Sequence, residues 1–146
     1  MKKILIIFFF VTSCGYQPLY MNKNQNFFLK IELTGNKKIA RQIVSLAALS
    51  ENPNSKNKNI IILDVSDSTI ATSKDTKGKI TSYKTTLNVK VLIKENDKLL
   101  HEKFFDESFN YNNLDNKYDL SNYRKDVEEN LARKIAEDLI IYINLL

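Results

Sequence analysis

The sequence has few of the residues from which catalytic and metal sites are usually built. Of its 146 residues, one is cysteine, one is histidine and three are glycine. A single cysteine, Cys14, excludes an intramolecular disulfide and a zinc site made of thiolates. With His101 as the only histidine, no serine or cysteine nucleophile has a second base in a recognisable setting. We therefore expect no enzyme and no cofactor other than a covalent lipid.

Two remaining features could still carry chemistry. Asp64 and Asp67 are three residues apart and Asp106 adjoins Glu107, so either pair could bind calcium or supply an acid and a base. Neither pair lies in a glycine-bearing ligand loop, and Gly78 lacks the neighbouring glycines of a phosphate loop. We interpret the carboxylates as solvated side chains and His101 as an ordinary strand residue.

The N-terminus has the order of a secretory signal. Two lysines precede an apolar run from Ile4 to Val11, and small residues follow. As a helix this run reaches roughly 12 Å, whereas a bilayer core is about 30 Å thick, so it cannot span a membrane alone. No second apolar run in the sequence approaches the length of a membrane span.

The residues Val11-Thr12-Ser13-Cys14 resemble a bacterial lipobox. This resemblance implies cleavage before Cys14, a thioether-linked diacylglycerol on its sulfur and acylation of the new amino group. Two or more acyl chains anchor a protein stably, at about 0.8 kcal/mol for each buried methylene. The alternative is an ordinary buried cysteine at the end of a hydrophobic helix.

Length and charge indicate one exported domain. We assign residues 1–13 to the signal peptide, 14–26 to a lipidated tether and 27–146 to a single domain, which is long enough for its own core. Loss of Lys2 and Lys3 lowers the formal charge from +5 to +3. This mild excess is not the clustered charge of a nucleic-acid-binding protein.

Hydrophobic periodicity predicts the order β-α-β-β-β-α, and hence an α+β two-layer sandwich with two helices on a four-stranded, mostly antiparallel sheet. A bulge is expected near Asp67, where the inward phase changes, and Asn36 and Ser121 are expected to cap the first and last helices. The register of residues 99–110 is left open by their mixed pattern. The predicted strands are 27–34, 60–71, 81–94 and 99–110; the first predicted helix begins at 37 and the last one follows its cap at Ser121.

The opening of the mature chain, Cys14-Gly15-Tyr16-Gln17-Pro18-Leu19-Tyr20, resembles that of LptE, the lipopolysaccharide-assembly lipoprotein, in its alphaproteobacterial form. The motif covers seven residues, and Met21 stands where a glycine usually follows. The resemblance implies a lipoprotein on the periplasmic side of the outer membrane. It would plug the LptD β-barrel, assist its assembly and take part in inserting lipopolysaccharide into the outer leaflet. Gly15 is also not the aspartate that retains lipoproteins at the inner membrane in enteric bacteria.

The resemblance gives a possible role to one face of the strand 81–94. Lys84, Thr86, Asn88 and Lys90 alternate with apolar residues, so they share a face. Lys84 and Lys90 could contact lipid A phosphates or carboxylates of the barrel; the alternative is a solvated face. A second function also stays open, that of another small envelope lipoprotein acting as a binding or scaffold module of a barrel-assembly or secretion complex. The final helix could likewise dock a partner helix or only pack on the sheet.

Overall fold

The computed structural model describes residues 27–54 and 58–146; the predicted signal peptide, the tether and Cys14 lie outside the described residues. Two helices pack on a four-stranded sheet, which confirms the predicted fold class and element order. Within the described residues, no helix is sufficiently long and apolar to cross a membrane. The elements are β1 (Phe27–Phe28), β2 (Lys30–Gly35), α1 (Lys37–Leu46), β3 (Ser50–Glu51), β4 (Asn59–Lys74), β5 (Ile80–Glu95), β6 (Lys98–Asn112) and α2 (Lys117–Asn144).

The main sheet has the strand order β2-β4-β5-β6. Strands β2 and β4 are parallel and are joined through α1, whereas β4, β5 and β6 form an antiparallel meander. A parallel pair needs such a crossover, because the chain must return to the same end of the sheet. Strands β1 and β3 form a separate short parallel pair.

One face of the sheet and both helices share the hydrophobic core. Helix α2 buries an apolar stripe at Val127, Leu131, Ile135 and Leu139, and α1 contributes Ile39, Ala40 and Ile43. From the sheet, the odd-numbered positions point into this layer because side chains alternate along a strand. They include Ile61, Leu63, Val65, Leu87, Val89, Val91 and Ile93.

The bulge predicted near Asp67 is wrong. The register between β4 and β5 is unbroken from Asn59 to Ala71, and shifts occur only at Ala71/Ser73 and Ser73/Lys74. Asp67 keeps its inward phase because its carboxylate accepts a hydrogen bond from the Asn36 side chain at 2.8 Å. A polar residue occurs at this inward position because Asn36 supplies a hydrogen bond to it, and the alternation of the strand does not change.

The next inward position of β4 is satisfied in the same way. Thr69 and Thr85 share a 2.8 Å hydrogen bond between their hydroxyls, and Thr85 lies 3.1 Å from the Tyr111 hydroxyl. Thr85 is buried, so its hydroxyl needs such a partner. This short chain of hydroxyls links β4, β5 and β6 at the end of the sheet beyond the apolar core.

The predicted start of the last helix is also wrong. Helix α2 begins at Lys117, and its N-cap is Asn116, whose side chain accepts a 2.9 Å hydrogen bond from the Tyr118 amide. The predicted cap, Ser121, lies inside the helix, because Asn116 satisfies an orphan amide one turn earlier. The other predicted cap is confirmed, since Asn36 accepts from the amides of Lys38 and Ile39.

The first predicted strand is interrupted at Leu29. Phe28 is buried, whereas Ile31 and Leu33 are the residues of β2 that pack against the core, so the inward phase differs between the two pieces. The pairing partner changes at this point, since β1 pairs with β3 and β2 pairs with β4. The Glu51 carboxylate accepts a 2.7 Å hydrogen bond from the Ile31 amide and so holds the two pieces together.

Gly35 is needed for the turn from β2 into α1. Its φ is +69°, and an added Cβ would press against the backbone carbonyl oxygen of Val65. The same carbonyl accepts a 2.7 Å hydrogen bond from the Asn36 amide, so the two backbones cannot separate without losing it. Gly78 has a φ of +81° but open space around it.

The two glycines form a matched pair for substitution by alanine. We expect Gly78→Ala to lower the free energy of unfolding by about 1 kcal/mol, because only the left-handed backbone is strained. Gly35→Ala should lower it by about 3 kcal/mol or more, since a steric clash adds to the strain. Urea unfolding followed by circular dichroism measures both, and equal losses would contradict the close approach to Val65.

Candidate functional site: the helix-free face of the sheet

The helices cover only one face of the sheet, and the other face carries the predicted site. This open face is formed by the even-numbered residues of β2, of β4 from Ile60 to Ile70, of β5 from Lys84 to Lys94 and of β6 from Glu102 to Asn110. Lys84 and Lys90 both lie on it, as predicted. Six residues of extended strand separate them, a distance of roughly 20 Å, so they do not form one site.

Lys90 is engaged by its neighbours on the open face. Its ammonium forms a 2.7 Å ion pair with Glu102 on β6, and it lies 5.1 Å from the centre of the Phe104 ring. Asp64 is the residue opposite Lys90 on β4. The Lys90 ammonium therefore already has a counter-charge within the sheet.

Lys84 has a different environment. Its cross-strand neighbours are Ile70 on β4 and Asn110 on β6, and it forms no ion pair with the residues that the structure describes. Ile70 is 58% exposed. The half-buried Lys84 side chain thus has an amide and an apolar side chain as its cross-strand neighbours. Lys94 also forms no ion pair within the described residues, but its charge acts on Glu32, whereas Lys84 has no carboxylate neighbour in its cross-strand pairs.

The open face as a whole is electrically balanced, which the pattern of β5 alone did not indicate. Lys30 and Glu32 pair at 2.8 Å, and this hydrogen bond lowers the pKa of the Glu32 carboxyl and raises that of Lys30. Asp64 accepts a 2.9 Å hydrogen bond from Thr34. The face has four lysines and four carboxylates: Lys30, Lys84, Lys90, Lys94, Glu32, Asp64, Glu102 and Asp106.

Part of the open face consists of small uncharged polar side chains, which we call the hydroxyl patch. Its residues lie in three adjacent rows, with Ser68 opposite Thr86 and Thr86 opposite Ser108. This patch was not predicted from the sequence. A bulge expected in β4 would have changed which of its residues face outward, and the register of β6 was left open. The patch contains Ser66, Ser68, Thr86, Asn88, Ser108 and Asn110.

The carboxylate pairs and the histidine do not come together. Asp64 lies on the open face while Asp67 lies on the helix face, and Asp106 and Glu107 are likewise on opposite faces. Glu107 pairs with Lys134 of α2 at 3.1 Å, and His101 is exposed. Within residues 27–54 and 58–146, no three acidic, histidine or cysteine side chains form a group that could hold a metal ion.

A groove lies on the other side of the sheet, between the outer strand β6 and helix α2. Its volume is about 350 Å³, and its lining is mostly apolar. The apolar lining comes from Phe109, Tyr123, Val127 and Leu131, and the polar lining from Ser108, Asp126, Asn130 and Lys134. This groove was not predicted from the sequence, since it depends on how far α2 stands from the edge of the sheet.

The architecture described above is a fold of bacterial lipoproteins. A minor lipoprotein from Acinetobacter baumannii superposes with a TM-score of 0.63 over 82% of this chain and 90% of its own, at 11% identity. Rare lipoprotein B from Shewanella oneidensis does so with a TM-score of 0.61 over 79% of this chain and 93% of its own, at 10% identity. Lipoprotein B from Nitrosomonas europaea gives 0.59 over 85% and 88%, at 9% identity.

These identities establish the fold alone. No protein-family model matches the sequence, and no curated protein matches it. The superpositions give the chain the fold of rare lipoprotein B, which agrees with the two helices and four-stranded sheet predicted from its hydrophobic periodicity.

Proposed function

We propose that this chain is a small envelope lipoprotein of the LptE type, anchored by lipid on Cys14 at the periplasmic side of the outer membrane. In this role it plugs an LptD-like β-barrel, assists its assembly and serves the insertion of lipopolysaccharide into the outer leaflet. The observation that carries the proposal is a coincidence of two independent features. An LptE-type opening at residues 14–20 precedes a domain with the fold of rare lipoprotein B.

The open face has the properties that a plug requires. The lumen of a transmembrane barrel is polar, so a domain inside it must present a polar surface. Burying an unpaired charge costs a large desolvation free energy. The desolvation cost is smaller for a face whose charges are paired and whose other polar groups are uncharged. The ion pair of Lys90 with Glu102 and the hydroxyl patch both fit this requirement.

Lys84 is the residue that we assign to contact with the barrel or its cargo. It forms no ion pair within the described residues, so a carboxylate of the lumen or a phosphate of lipid A would supply its counter-charge. Lys90, which was predicted alongside it, already has Glu102 and acts through the charge balance of the face. The role is one of binding and needs no covalent chemistry from the chain.

Lipidation of Cys14 is tested on the full chain expressed in a bacterium. We expect mass spectrometry to find a mature N-terminus at Cys14 that carries diacylglycerol and an acyl group. Cys14→Ser should abolish the modification, and membrane attachment should fall because the acyl chains provide it. Ser13→Ala, which keeps a small residue before the cleavage site, is the control. A bare Cys14 thiol on a chain that retains residues 1–13 would contradict the assignment.

Depletion of the protein tests its role in transport. We expect surface lipopolysaccharide and folded LptD both to decline, and both to recover with the wild-type chain. Lys84→Glu should restore them less well, because it places a carboxylate where the counter-anion would lie. Lys125→Glu, on the exposed side of α2, should restore them fully.

The depletion experiment also separates the two functions left open by the sequence. Normal lipopolysaccharide and normal LptD folding after depletion would contradict the LptE role. Co-purification with other envelope proteins in place of LptD would then favour a scaffold of a different barrel-assembly or secretion complex.

A further inference from the structure

Strand β6 forms one edge of the main sheet. It pairs with β5 on one side, and no other strand of the described residues pairs with it on the other. Its register with β5 is unbroken from His101 to Asn112, and the one shift lies beyond His101, at Ile93/Lys94 of β5. A long regular edge of this kind presents unpaired amides and carbonyls to another strand.

Two opposite charges on this edge, Lys103 and Glu107, lie two residues to either side of Phe105. Two copies related by a two-fold axis perpendicular to the sheet would pair antiparallel, and side chains directly opposite would lie on the same face. With the axis at Phe105, Lys103 of each copy lies opposite Glu107 of the other. Phe105 is also the midpoint of Lys98–Asn112, so this register uses the whole strand.

Neighbouring registers lack this match. An axis at Phe104 places Glu102 opposite Asp106, and axes at Lys103, Asp106 and Glu107 place each of these charges opposite itself. Like charges directly opposite each other destabilise a pair of strands. An axis at Ser108 avoids repulsion but brings no opposite charges together. Among the six registers centred on residues 103 to 108, the charged residues that usually protect a sheet edge therefore favour the one centred on Phe105.

We propose that two copies of this chain associate through the edges of their β6 strands in the register centred on Phe105. Glu107 already pairs with Lys134 of its own chain at 3.1 Å, so the second copy's Lys103 would place this carboxylate between two lysines. The Phe105 ring packs edge-on against Tyr142 at 6.0 Å, which orients it for contact with its counterpart. The dimer leaves the open face exposed in both copies and does not depend on the proposed transport function.

Cysteine substitutions on the open face of β6 test the register. Two full-length copies with different tags are expressed together, one with Phe104→Cys and the other with Asp106→Cys, and isolated membranes are oxidised. Both positions are exposed and lie opposite each other in the proposed dimer. Phe104→Cys with Ser108→Cys, which is displaced by two residues, is the matched control. We expect at least about fivefold more disulfide-linked heterodimer from the first pair, because a disulfide requires Cβ atoms about 4 Å apart.

A charge exchange tests the interaction that selects the register. In the Phe104→Cys and Asp106→Cys background, Lys103→Glu should reduce the cross-linked product, and Lys103→Glu together with Glu107→Lys should restore it. The wild-type chain controls for disulfides through Cys14. Equal products from the Asp106→Cys and Ser108→Cys pairs, no product from either, or failure of the double exchange to restore it would overturn the proposal.

Discussion

The structure depends on burying one face of a four-stranded sheet under two helices. The alternating apolar side chains of β4 and β5, from Ile61 to Val65 and from Leu87 to Ile93, supply the sheet's half of the core. The stripe of α2 that includes Leu131 and Ile135 supplies much of the other half. Because the period of a strand is two, committing one set of residues to this core commits the alternate set to the opposite face. The helix-free face is thus fixed by the same pattern that builds the core.

That constraint separates stability from binding in this molecule. Changes on the open face leave the core intact, so this face can carry matched charges, the hydroxyl patch and Lys84 without a large effect on folding. The edge of β6 is a third and distinct surface, since its backbone groups lie in the plane of the sheet. A domain built in this way can present its open face to a barrel lumen and its edge to another strand.

Local patterns were sufficient to predict the layers of the fold and the face on which Lys84 and Lys90 lie. They were not sufficient where a distant partner decides the outcome. Asp67 keeps its phase because of Asn36, which is 31 residues earlier in the sequence. The partner of Lys90 could not be predicted either, since Glu102 reaches it only in the observed β5–β6 register. Hydrogen bonds and ion pairs between distant residues therefore account for these two differences, whereas the start of α2 was missed because the local cap at Asn116 was not recognised.

The proposed function requires the helix-free face of the sheet to meet a β-barrel in the envelope. Site-specific photo-cross-linking in living cells tests it most directly, with a photoreactive residue at Ser68 or Thr86 and a control at Lys125 on α2. If the open face contacts the barrel, we expect an outer-membrane barrel protein to be captured from Ser68 and Thr86 and not from Lys125. Capture of the barrel from Lys125 alone would contradict it.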